Sequence, residues 1–203
     1  VYFEWPWEDG SGIGRRNGWD GLWGLEYRAP RETWVDAAVV EYLDFTNMSG
    51  PLHWAPGDHN NTTITGSATG GDNYWNNDVY GPWSNYGMSL GTPFVVAPLY
   101  NADGHWQFAH NRARGFHAAI EGRIAPQWRY KAMLSYQKAW GDGRRPQATG
   151  LHDTSAMLEA RWAQGEAKPW SADLKLAFDA GNLRGNNFGA MLTVRYSGSL
   201  KIK

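Results

Sequence analysis

The chain has 203 residues, enough for one domain or for part of a larger closed sheet. Its 19 Lys and Arg against 20 Asp and Glu leave a net charge of -1, so no general positive field favours a nucleic acid backbone. Cysteine is absent, which excludes disulfides, thiolate metal sites and a cysteine nucleophile.

Val1 to Trp5 opens as a short strand segment. Trp23, Leu25 and Tyr27 then alternate with Gly24, Glu26 and Arg28, which predicts a strand with its charge on one face. From Trp34 to Phe45 the row Val35, Ala37, Val39, Leu43 and Phe45 is apolar apart from Glu41, which this reading puts near an interface or at a bulge. Phe116, Ala118, Ile120 and Ile124 oppose His117, Glu121 and Arg123. Trp128, Tyr130, Ala132, Leu134 and Tyr136 oppose Arg129, Lys131, Met133, Ser135 and Gln137, and this apolar row carries aromatics at both ends. Ala156, Leu158, Ala160 and Trp162 oppose Ser155, Glu159 and Arg161; Ala172, Leu174, Leu176 and Phe178 oppose Ser171, Asp173, Lys175 and Asp179. Last, Phe188, Ala190, Leu192, Val194 and Tyr196 oppose Asn187, Gly189, Met191, Thr193 and Arg195.

These segments make about eight strands, each close to the 9 to 11 residues that a tilted strand needs to cross a bilayer. Between them, connections at Glu8–Asp20, Thr46–Ala113, Trp140–Asp153 and Ala180–Asn186 alternate with shorter ones at Pro30–Thr33, Ala125–Gln127 and Gln164–Pro169. Alternation of long and short connections is what an up-and-down membrane barrel produces, with short turns at the periplasmic rim and long loops outside. The composition agrees: 13 Trp, 10 Tyr and 25 Gly coexist with a mean hydropathy of -0.59. No apolar run approaches the roughly 18 to 20 residues of a membrane helix. The chain begins Val1-Tyr2-Phe3-Glu4, so any signal peptide is expected upstream or already removed.

The expected fold is therefore all-β: an antiparallel up-and-down transmembrane β-barrel in a bacterial outer membrane, forming one domain over residues 1–203. Residues 46–113 form a long extracellular loop inserted in it, and the C-terminus is periplasmic. The inward row would comprise Glu26, Arg28, Asp36, His117, Glu121, Arg123, Arg129, Lys131, Glu159, Arg161, Asp173, Lys175 and Arg195. An eight-stranded barrel has an interior just wide enough for side chains, so this much charge demands a paired network or a wider barrel with further strands. His117 and Glu121 share a face and are expected to join a charge network with Arg123 and Arg129.

The loop from Thr46 to Ala113 is dense in Asn, Asp, Gly, Trp and Tyr. Sugar rings stack on aromatic faces while amides and carboxylates meet hydroxyls, so this loop is a candidate polysaccharide surface. The competing reading is that the aromatics pack the loop against itself. The contact candidates are Arg15, Arg16, His53, Trp54, Tyr74, Trp75, Trp83, Tyr86, Tyr100, His105, Trp106 and Arg112.

Five stretches resemble the Wzi-like capsule-assembly proteins of Gram-negative outer membranes. They are EWPWEDGSGIGRRNGWDGLWGLEY from Glu4, VVEYLDFTNMSGPLHW from Val39, GDNYWNNDVYGPWSNYGMSLGTPF from Gly71, LYNADGHWQFAHNRARGFHAAIEG from Leu99 and LHDTSAMLEARW from Leu151. The resemblance implies a barrel of about 18 strands, of which this chain would be the C-terminal part. It also implies a lectin that holds capsular polysaccharide at the cell surface without catalysis. Expected partners are surface polysaccharide, outer-membrane lipid, other outer-membrane proteins or the remaining barrel strands. No nucleic acid and no cofactor are expected.

Two other functions stay open on the residues alone. A pore for small solutes or oligosaccharides would use the inward charges. A surface serine hydrolase would use Ser89 in Gly87-Met88-Ser89-Leu90-Gly91, followed by Asp103, His105 and His110 in the order such hydrolases use. That motif needs a strand, a sharp turn and a helix, whereas Pro93 follows within a Gly-rich stretch. Gly10, Gly12 and Gly14 precede Arg15 and Arg16 with no helix pattern behind them, so they read as an outer loop rather than a phosphate cradle. Arg144 and Arg145 carry the same two readings, anion contact or solvated pair. His53, Asp58 and His59 match no standard metal-ligand spacing, and no metal site is expected.

Overall fold

The computed structural model describes residues 1–6, 18–48, 52–54, 68–69, 73–77, 81–143, 145–165 and 169–198, with 52–54, 68–69 and 77 described by their backbone. Three strands come first: β1 (Tyr2–Glu4), β2 (Gly21–Arg28) and β3 (Ala37–Asp44). Within the long connection that follows lie three short hairpins: β4 (Leu52–Trp54) with β5 (Ala68–Thr69), β6 (Asn76–Asn77) with β7 (Gly81–Pro82), and β8 (Ser84–Asn85) with β9 (Met88–Ser89). Five long strands close the chain: β10 (Ala113–Ala125), β11 (Trp128–Gly141), β12 (Pro146–Ala163), β13 (Trp170–Gly181) and β14 (Asn187–Tyr196).

The main sheet has eight strands in the order β1-β2-β3-β10-β11-β12-β13-β14, all antiparallel. Leaving out the small hairpins, this is chain order, an up-and-down meander as expected from the sequence. Among the described residues β1 pairs only with β2 and β14 only with β13, so the sheet is open.

Because side chains alternate along a strand, the register carries one apolar row across seven strands. Leu25, Val40, Ala118, Leu134, Ala156, Phe178 and Phe188 are successive partners. Nothing covers this face among the described residues: Leu158 is 61% exposed and Leu192 68%. Aromatics border it at both ends. Trp23, Tyr42, Phe116 and Tyr136 are register neighbours at one end, and Trp128 with Trp162 and Trp170 with Tyr196 pair at the other. Their polar tips find partners at the sheet ends, as in the Tyr130 hydroxyl donating to the Trp34 carbonyl at 3.0 Å and Tyr42 to Asp44 at 3.3 Å.

β3 corrects the sequence reading. Its apolar-face row is Ala38, Val40 and Tyr42, whereas Val39, Glu41 and Leu43 lie on the polar face, with Glu41 opposite His117 and Gly24. Glu41 is at neither a bulge nor a strand end; its register is regular and it accepts a hydrogen bond from the Tyr2 hydroxyl. The two rows of β3 are both largely apolar because the polar-face row ends under a second core, in which Leu43 and Phe45 are buried. The connection expected over Trp140–Asp153 also shrinks to residues 142–145. The β11–β12 ladder continues past Ala139–Leu151, through an irregularity, to Gly141–Pro146.

The polar face carries a laddered ion network. Arg195 reaches Asp173 at 2.6 Å, Arg161 bridges Asp173 at 3.1 Å and Glu159 at 2.7 Å, and Lys175 lies 3.5 Å from Glu159. Glu159 and Asp173 are buried, and a buried carboxylate requires such cationic partners. On the neighbouring strands Lys131 pairs with Glu121 at 3.0 Å, Arg129 with Asp36 at 2.6 Å and with Glu32 at 2.9 Å, and Arg123 with Glu32. Arg28 and Glu26 pair with each other. His117 does not join this network: its Nδ1 is 2.7 Å from the Ser135 hydroxyl and its ring stands edge-on to Phe94.

Candidate functional site

The long connection between β3 and β10 folds back over one end of the polar face and is built as a small core of its own. Leu43, Phe45 and Met48 meet Tyr74, Phe94, Val95 and Phe108, all buried, with Leu22 and Trp75 packed at the margin. Full burial of a side chain of this size contributes roughly 1.5 to 3 kcal/mol. The Phe94 ring lies so close over Gly115 of β10 that a Cβ there would fall 2.6 Å from it, which explains glycine in that strand.

Polar anchors fix both ends of the connection. Asp20, just before β2, is fully buried and accepts from the Met48 amide at 2.8 Å, the Asn47 amide at 3.1 Å and the Tyr74 hydroxyl at 2.9 Å. Burial pushes its carboxyl up to about 6, against the opposing pull of these donors. Arg112 Nε donates to the Thr46 carbonyl at 3.0 Å, tying the exit of the connection to its entry. Much of the asparagine content is spent in the same way. Asn76 brackets Phe108, donating to its carbonyl at 2.8 Å and accepting from its amide at 2.7 Å. Asn111 holds Asn73 and the Tyr74 carbonyl, and Asn101 holds the carbonyls of His105 and Gln107.

The opposite side of this folded connection is open and aromatic. An open groove of about 420 Å³ runs between the β7–β9 region and residues 98–106, lined by Pro82, Ser84, Leu99, His105 and Trp106 among others. Leu99 and Trp106 of its lining are exposed, as are Trp83, Tyr86 and Tyr100, which neighbour lining residues in the chain. Tyr86 and Gly87 form the two-residue turn of the β8–β9 hairpin with φ of 50° and 79°, the geometry of a type I′ turn. Asn-Gly is the preferred pair there, and a bulky residue in the left-handed region costs roughly 1 to 2 kcal/mol. Tyr86 is 95% exposed and has no packing that would offset this. Tyr86→Asn is accordingly expected to raise the stability of the hairpin by about 1 kcal/mol, checked by hydrogen exchange of the Leu90 amide, which bonds the Trp83 carbonyl.

Of the twelve contact candidates, His105 and Trp106 line this groove, and Trp83, Tyr86 and Tyr100 are exposed next to its lining residues in the chain. The structure turns Tyr74 into the core and uses Trp75, whose indole donates to the Leu90 carbonyl at 2.9 Å, and Arg112 as internal ties. His53 and Trp54 lie on β4, whose side chains are outside the described residues, as are Arg15, Arg16, Asp58, His59 and Arg144. Ser89 stands in a two-residue strand of a tight hairpin, without the strand-turn-helix elbow its motif requires. Among the described residues no group of three His, Asp or Glu could hold a metal ion. Asp20 and Asn76 escape sequence reasoning because their roles come from partners far along the chain. Comparison with protein-family models, curated proteins and solved structures finds no match to this chain.

Proposed function

We propose that the chain is part of an outer-membrane β-barrel that binds a surface polysaccharide through its folded extracellular connection. The observation that carries the membrane reading is the uncovered apolar face bordered by aromatics at both ends. Along β11 the stretch from Trp128 to Tyr136 is nine residues, within the roughly 9 to 11 that a tilted strand needs to cross a bilayer. A soluble sheet of this size would cover such a face with a second layer. The open edges of β1 and β14 support closure with additional strands, since a barrel leaves no edge unpaired.

Support for the ligand is Trp106 in the groove together with the exposed Trp83, Tyr86 and Tyr100 near it in the chain. Exposed Trp and Tyr rings, near amide and hydroxyl groups, suit stacking on pyranose rings, and repeated sugar units let several weak contacts add. A lectin that retains capsule is the function this reading shares with the Wzi-like proteins the sequence resembles. Replacing Trp83, Tyr86 and Trp106 together with Ala is expected to weaken polysaccharide binding at least 10-fold, while the heat-resistant detergent form of the sheet persists. Binding measured with extracted capsular polysaccharide on immobilised protein is the check, and unchanged affinity would remove the groove from the reading.

A further inference from the structure

A second cavity, of about 800 Å³, lies on the other side of the folded connection, between it and the polar face of the sheet. Its volume is within the range of small-molecule sites. The Trp75 and Phe94 rings of the connection line it, and from the sheet come Gln137, Asp153 and Asp179, with Arg184 from the β13–β14 connection. Gln137 and Asp153 are register partners on β11 and β12, 4% and 1% exposed.

Each of these two buried side chains has one polar atom satisfied and one that is not. Gln137 Oε1 accepts from Arg184 at 3.1 Å and Asp153 Oδ1 accepts from the Leu183 amide at 3.1 Å. Gln137 Nε2 and Asp153 Oδ2 have no partner among the described residues. A buried donor and a buried acceptor left unmade are costly, and native proteins rarely keep them without a water or ligand to complete them. Beside them Asp179 accepts from Ser155 at 2.5 Å, and Arg184 also donates to the Pro93 carbonyl at 2.8 Å, so the cavity wall is fixed from both sides.

Charge narrows the ligand. Among the described residues, Glu4, Glu41, Asp153 and Asp179 face the cavity against Arg184 and His117, and Arg184 already serves two oxygens of the wall. An acidic sugar would meet repulsion here. A ligand with hydroxyls for Gln137 and Asp153, an apolar ring face for Trp75 or Phe94, and a positive group for the carboxylates fits every wall.

We propose that this cavity binds an amino sugar, either free or as a unit of an oligosaccharide. The site is separate from the outer groove, and the proposal does not rest on the membrane or capsule reading. Its test is titration of the purified full chain with glucosamine, glucose and glucuronate, followed by calorimetry and by tryptophan fluorescence. Glucosamine is expected to bind saturably, glucose at least 10-fold more weakly, and glucuronate not at all within the same range. Asp153→Asn, which keeps an acceptor for the Leu183 amide, is expected to weaken glucosamine at least 10-fold and glucose by less than about 3-fold. Repeating the titration with a glucosamine tetramer separates a free sugar from a polymer unit. Equal affinity for glucosamine and glucuronate, no binding of either, or glucosamine binding that Asp153→Asn leaves unchanged would overturn the proposal; the first two comparisons hold even if the variant fails to fold.

Discussion

On the proposed membrane reading, Leu192→Arg is expected to cost roughly 2 to 4 kcal/mol of folding free energy in lipid vesicles, the penalty for a cation at the midplane of a barrel wall, while Thr193→Arg costs little. Leu192 is four residues from both Phe188 and Tyr196, which place it midway between the two aromatic borders. Its side chain is 68% exposed on the apolar face and pairs in register with Leu174. Thr193 is the next residue and points to the polar face, where its register partner is Asp173. The two variants add the same group to the same strand and differ only in which wall receives it. Urea titration of the folded form in vesicles, with the heat-modified gel shift as a second readout, measures the difference. Equal costs for the two variants, or a native chain that stays monomeric in buffer without detergent, would remove the membrane from the interpretation.

The contrast between those neighbours is also where the sequence was most readable. On β11 to β14 the polar face carries ions that pair with one another and the apolar face is covered by nothing among the described residues, so each strand shows its parity with no long-range information. β3 hid its parity because Leu43 and Val39 belong to the polar face yet are apolar, the former under the core that the long connection brings down on it. That core joins residues near 43, 74, 94 and 108, and no local pattern announces it. On the β11–β12 hairpin the sequence pattern stops short of the ladder for a similar reason. Past Ala139 its backbone serves the folded connection, where the Gly143 amide donates to Asn73 at 3.3 Å and the Gly141 carbonyl accepts from the Arg112 amide, and alternation fades though the ladder continues. Composition misled most at the asparagines: an Asn-rich loop suits sugar hydroxyls equally well as it suits orphaned carbonyls, and here Asn76, Asn101 and Asn111 serve the backbone.

This division of labour makes Asp20 the second position of large effect. Asp20→Ala is expected to release the connection between β3 and β10 while leaving the main sheet paired. The substitution strands the Met48 amide, the Asn47 amide and the Tyr74 hydroxyl, and buried donors without acceptors cost about 1 to 3 kcal/mol each. A total of roughly 3 to 9 kcal/mol exceeds what the small core can spare, so residues 45–112 should become sensitive to protease at concentrations that leave the native chain intact. The sign of the pH effect follows from burial, which raises the Asp20 carboxyl from 3.8 to about 6. A raised carboxyl contributes stability that is complete below about pH 4, where folded and open forms are both protonated, and that is lost as pH rises to about 6. Protection of the Met48 amide in the native chain should therefore fall between pH 4 and 6 and level off above, once corrected for intrinsic exchange. Asp20→Asn cannot titrate and should lack that step. A step of the same size in both chains would assign the titration to another group and leave Asp20 as a hydrogen-bond acceptor alone.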